Sequence, residues 1–139
     1  MAHPVHPAIV HFPIACWVLG SLADLSGLFF TETATELAGI LIMLGTLLAI
    51  PAMATGVMEL IKIDSAAVEY QIASRHMNLI LLSWTFYAVS LLLRFNNVES
   101  VGEWVSILFS LVGLLFLSLA GWYGARLVYE YGVGVNRDS

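Results

Sequence analysis

Apolar residues fall into four long blocks along the chain, about 12–30, 37–61, 77–95 and 104–125, with short polar segments between them. A helix needs roughly 17–25 mainly apolar residues to cross a bilayer, and each block has that length. Lipid offers no partner to backbone N–H and C=O groups, so blocks of this kind cross as α-helices. The pattern predicts an all-α integral membrane four-helix bundle in one domain, residues 1–139, with both termini on the same side.

The polar punctuation refines this. Pro13 suits a first helical turn and places the start of the first span near residue 12. The link 31–36 is short, so the first two spans should be antiparallel neighbours. Pro51 lies inside the second block and is expected to kink it. Residues 62–75 form the longest polar stretch. Asp64 or Ser65 could cap a helix there, and Val68, Ile72 and Arg75 carry helical spacing onward. The expected third helix therefore covers about 66–95, with residues 62–75 as its aqueous extension. His3-Pro4 and His6-Pro7 push the residue before each proline out of the α region, so residues 1–11 are expected to be an extended arm.

Composition agrees with the pattern. Charged residues make up 11% and hydrophobic residues 60%, whereas soluble domains carry about 25% charged residues to hydrate their surface. The net charge is −5, with five Lys and Arg in all, which argues against a nucleic-acid partner, since that affinity rests on cations against phosphates. The lone Cys16 can form no internal disulfide. Residues 1–11 hold no Lys or Arg, unlike the n-region of a secretory signal, so the first block reads as a retained span. Lys62, Arg75, Arg126 and Arg137 share one side with the termini, and Arg94 stands alone on the other. The positive-inside rule then places both termini in the cytoplasm.

The candidate chemistry lies at the end that carries the termini. His3, His6 and His11 precede the first span, and His76 sits where the third enters the bilayer. Glu59, Arg75, Arg126 and Glu130 belong to the same end. One reading takes an arm histidine, His6 before His11, and His76 as axial ligands of a b-type haem, with Arg75 or Arg126 against its propionates. A second takes His3, His6, His11, His76 and Glu59 as ligands for Zn or Cu. In a third no cofactor is bound, and the histidines are ordinary interfacial residues.

Deeper in the membrane, Asp24 lies about 20 Å along a helix from His11. An acid there is costly and takes a partner or a task. An ion pair with Arg94, or bonds to Ser21 or Ser26, is favoured over a proton relay. Trp104 suits an interface, Trp84 suits packing between helices better than stacking on a cofactor, and Met53, Met58 and Met77 read as core. Gly113, Ser118, Gly121 and Gly124 would let another helix approach the fourth span closely. No phosphate-binding loop, Gly-x-Ser-x-Gly, His-Glu-x-x-His or Cys-x-x-Cys is present, which leaves hydrolase or transferase activity without a motif.

The opening His3-Pro4-Val5-His6-Pro7-Ala8-Ile9-Val10-His11-Phe12-Pro13-Ile14-Ala15 and the closing Gly124-Ala125-Arg126-Leu127-Val128-Tyr129-Glu130-Tyr131-Gly132-Val133-Gly134-Val135 resemble those of a family of small bacterial membrane proteins, domain of unknown function 2231. Thr55-Gly56-Val57-Met58-Glu59 and Arg75-His76-Met77-Asn78 are similar to weaker signatures of that family. The resemblance implies four spans and no established activity. Some relatives are fused to Rieske iron–sulfur domains, which implies membrane redox chemistry nearby. His6 and His76 match the family pattern better than His11 does, and the position of Tyr131 is often histidine in relatives. The expectation is a non-enzymatic redox subunit that binds haem b and passes electrons to other membrane redox subunits. The alternatives are a cofactor-free scaffold or assembly subunit, and a Zn- or Cu-binding membrane protein. Besides lipid and redox subunits, a second copy of the chain is a possible partner.

Overall fold

A computed structural model describes residues 5–29, 32–95 and 102–135. The described residues form five α-helices: α1 (Val5–Ile9), α2 (His11–Gly27), α3 (Glu32–Leu60), α4 (Val68–Phe95) and α5 (Gly102–Tyr129). Four helical segments are long and apolar enough to span a membrane: His6–Gly27, Thr33–Leu60, Val68–Phe95 and Trp104–Tyr129. The architecture expected from the sequence is the one observed. α2 packs chiefly against α3 and α4 chiefly against α5, giving two antiparallel hairpins that meet along α3–α4 and α2–α5.

The buried positions explain why these helices associate. They recur in steps of three and four: Pro13, Trp17, Gly20 and Asp24 on α2; Ala38, Ile42, Gly45, Ala49, Ala52 and Gly56 on α3; Ser83, Tyr87 and Ser90 on α4; Ser106, Ser110, Gly113, Leu117 and Ala120 on α5. This is the 3.5-residue seam of a left-handed bundle. Most of its occupants are small or polar, with Trp17, Ile42 and Leu117 the large exceptions, while many large aliphatic residues, among them Leu44, Leu47, Leu81 and Leu115, face outward. Lipid tails are as apolar as leucine, so in a membrane close backbone approach and hydrogen bonds drive association. At Gly45 a Cβ would come within 2.7 Å of Trp17 Cδ1 and 3.1 Å of Cys16 Cβ, so only glycine lets α2 lie that close.

Four local features differ from, or sharpen, the expectation. Residues 5–11 are helical rather than extended. Val10 lies in the αR region, the Val10 N–H donates to the His6 carbonyl and the Ile14 N–H to the Val10 carbonyl, so α1 runs almost directly into α2. Pro7 sits in the first turn of α1, where its missing N–H removes no helical bond, and this outweighs the extended preference of His6. α3 passes through Pro51 as one helix, with the proline ring on an exposed face. The turn before α4 is held by Asp64, whose Oδ1 accepts from the Ala66 N–H at 3.0 Å, and the helix begins at Val68 rather than 66. At the other terminus the Val133 N–H donates to the Leu127 carbonyl and the Gly132 N–H to Val128. Gly132 there has φ +65°, a left-handed turn that ends the helix and suits glycine.

Candidate functional site

The helical opening decides which histidines meet. His6 and His11 are five residues apart, about 140° around a helix of 3.6 residues per turn. His6 therefore turns toward α3 while His11 is exposed. The expectation that His11 joins the same pocket does not hold. That expectation assumed a flexible arm, whereas the helix fixes the direction of each ring.

His6 Nδ1 lies 2.9 Å from the Ala52 carbonyl and 3.1 Å from Thr55 Oγ1. A carbonyl only accepts, so Nδ1 carries the proton. The Thr55 hydroxyl donates to the same carbonyl at 2.8 Å, which closes a small hydrogen-bonded triangle on α3. His76, on α4, donates from Nδ1 to the Ala120 carbonyl of α5 at 2.8 Å. In the neutral form, each imidazole is thereby held as the tautomer with its lone pair on Nε2.

Glycine shapes both seats. A Cβ at Gly56 would stand 2.9 Å from His6 Cε1 and 3.0 Å from Met77 Cε. A Cβ at Gly124 would stand 3.2 Å from His76 Cε1. Each imidazole thus sits against a glycine at which a larger residue would crowd it. Met77 closes the space beside His6, whereas Met58 is exposed and leaves the core expected of it.

The remaining candidates are placed differently. Glu59 is half-buried near the end of α3. Among the described residues no three His, Cys, Asp or Glu side chains are grouped so as to hold a metal ion. His3 falls outside the described residues. Arg126 is engaged with Glu130 one turn on, through Nε and Nη2 at 2.8 Å. Arg75 is exposed and lines a hollow on the outer face of α4 and α5 with Asn78, Leu79, Leu119 and Tyr123. Neither arginine hydrogen-bonds to a histidine among the described residues.

At the far end, Asp24 is wholly buried and Arg94 13% exposed. Arg94 Nη2 reaches both carboxylate oxygens at 2.7 Å. Ser110 donates to Asp24 Oδ2 as well. The ion pair expected from the sequence is present and joins three helices. Between the two ends runs a polar column that apolar-block reading did not reveal. The Tyr87 hydroxyl bonds Ser21 at 2.9 Å, and the Tyr87 ring stacks on Trp17 with centroids 4.8 Å apart and planes 7° from parallel. Trp17 Nε1–H donates to Thr46 Oγ1, and Trp84 Nε1–H to the Thr46 carbonyl. Trp84 therefore packs between helices, as anticipated. Ser83 donates to the Gly113 carbonyl and Ser90 to Ser106, binding α4 to α5. The signal was available in the spacing Ser83, Tyr87, Ser90, Arg94, a heptad stripe of polar residues within an apolar span.

A family model described as a predicted membrane protein, DUF2231, matches residues 2–137. The chain belongs to the DUF2231 family. The match spans all four membrane helices and both histidine seats. No curated protein and no solved structure matches this DUF2231 chain significantly. It is a four-span membrane protein in contact with lipid.

Proposed function

We propose that this DUF2231 protein is a non-enzymatic membrane redox subunit in which His6 and His76 supply the axial imidazoles of a b-type haem. The observation that carries the reading is the shared anchoring of the two rings. Each donates its Nδ1–H to a backbone carbonyl and leaves Nε2 for a ligand. Metal-ligating histidines are held in this way, because the outer hydrogen bond sets the tautomer and raises the basicity of the ligating nitrogen. The two histidines stand on different helices at one end of a bundle, where facing helices can seat a macrocycle. Haem would supply one-electron transfer between membrane redox partners. The excess of Lys and Arg at this end supports a cytoplasmic location for it, with both termini inside a bacterial inner membrane.

The test is the absorption spectrum of the full-length protein, expressed with haem supplied, in oxidised and reduced states. A low-spin b-type spectrum is expected. It should be lost in His6→Ala and in His76→Ala and kept in His11→Ala. A colourless protein, or an unchanged spectrum in His76→Ala, would overturn the proposal.

A cofactor-free assembly subunit is the second reading. In its favour, the same two bonds already serve as clamps, α1 to α3 and α4 to α5, and neither main surface hollow is lined by a histidine. Colourless protein that loses stability in both histidine variants would assign it. Zn or Cu would need a third ligand beyond His6 and His76, and metal content of the purified protein decides that reading.

A further inference from the structure

The hollow that contains Arg75 has an order of its own. It measures about 380 Å³, within the range of about 300–1,000 Å³ typical of small-ligand sites. α4 enters the membrane from Arg75 toward Leu79, and α5 leaves it from Leu119 toward Tyr123. Arg75 and Tyr123 therefore stand at the mouth, Asn78 just inside, and Leu79 and Leu119 about a helical turn deeper. The hollow grades from cationic and hydroxylic to aliphatic over roughly 6 Å.

Its depth in the bilayer is fixed by length. α4 has 28 residues, and about 20 suffice to cross the hydrocarbon. A 20-residue crossing counted back from Phe95 reaches Arg75, so the first turns of α4 stand at headgroup depth. Arg75 has no carboxylate partner among the described residues, in contrast to Arg126, which Glu130 neutralises. A guanidinium at headgroup depth above an aliphatic slot complements an amphiphile with a phosphate at one end.

We propose that this groove is a binding site for one anionic phospholipid. Its phosphate bonds Arg75 with Asn78 and Tyr123, and an acyl chain lies along Leu79 and Leu119. The site is separate from the histidine seats and stands whether or not they bind haem.

Native mass spectrometry of the full-length protein in mild detergent tests it, with phosphatidylglycerol, phosphatidylcholine and glycerol phosphate as probes. A single phosphatidylglycerol adduct should bind about tenfold tighter than phosphatidylcholine, whose choline cation offsets its phosphate against Arg75. Glycerol phosphate alone should not bind. Arg75→Gln should bring phosphatidylglycerol down to the phosphatidylcholine level. Leu119→Trp should remove both, and Arg126→Gln should change neither. Equal affinity for the two lipids, an unaltered adduct in Arg75→Gln, or a neutral lipid quinone retained in place of the phospholipid would each overturn the proposal.

Discussion

Replacing Asp24 by Asn removes one charge from the most buried polar cluster of the bundle and changes almost no volume. Arg94 then keeps a guanidinium in the membrane with no counter-charge among the described residues. Asp24 accepts two contacts from Arg94 and one from Ser110, and its side chain is wholly buried. Breaking one side of such a pair costs about 3–5 kcal/mol. An unpaired Arg at the centre of a spanning helix costs about 2.5–3.5 kcal/mol on insertion scales. Arg94 lies near a helix end, which favours the lower part of both ranges, so about 3 kcal/mol is expected. The double variant Asp24→Asn with Arg94→Gln removes the orphan charge and should recover most of that loss, to within about 1 kcal/mol of the native protein. Unfolding in mixed micelles with a rising fraction of denaturing detergent, followed by helical circular dichroism, reads all three proteins on one scale. An Asp24→Asn protein as stable as the native one, or a double variant worse than the single, would refute the ion pair as the lock between the hairpins.

Other variants probe the seam. Gly45→Ala should destabilise by about 1–3 kcal/mol, because its methyl meets the Trp17 ring at 2.7 Å; Gly121→Ala, with nothing within 4 Å, should be neutral or stabilise by up to about 1 kcal/mol. The same micelle titration separates the two. Tyr87→Phe should cost about 0.5–1.5 kcal/mol by orphaning the Ser21 hydroxyl, and the stack should persist, visible as unchanged near-ultraviolet dichroism from Trp17. Cysteines introduced at 64 and 136 should be labelled from the cytoplasmic side, and one at 97 from the opposite side; the reverse pattern would invert the topology.

Much of the bundle was legible because the bilayer tolerates so few backbone solutions. Four apolar blocks of spanning length became four helices, and a single acid and a single base at matching depth found each other. The opening segment was harder. A residue before proline prefers extended backbone in isolation, but at His6 the proline falls in a first turn and tertiary contact with Ala52 and Thr55 completes the helix. That one difference carries His11 away from the pocket. The interior was also missed where hydrophobicity was taken as the mark of burial. In a membrane the core is recognised by small and polar residues at steps of three and four, as Ser106, Ser110, Gly113, Leu117 and Ala120 display. The Nδ1 anchoring of His6 and His76 had no sequence signal, since its acceptors are main-chain carbonyls.

The lock between Asp24 and Arg94 also sets a timetable for biosynthesis. The partners are 70 residues apart, and Asp24 leaves the ribosome first. At about 5–20 residues per second, the α2–α3 hairpin waits several seconds before Arg94 is made, and Ser110 arrives later still. Throughout that interval α2 holds a carboxyl group within the span with neither partner, so the hairpin is less firmly seated than in the finished protein. α2 is locked only once α4 and α5 have both entered, because Arg94 and Ser110 reach Asp24 from those two helices. A nascent chain halted before residue 94 should therefore expose more of α2 to the aqueous phase than the finished protein does, and one halted after α5 should not.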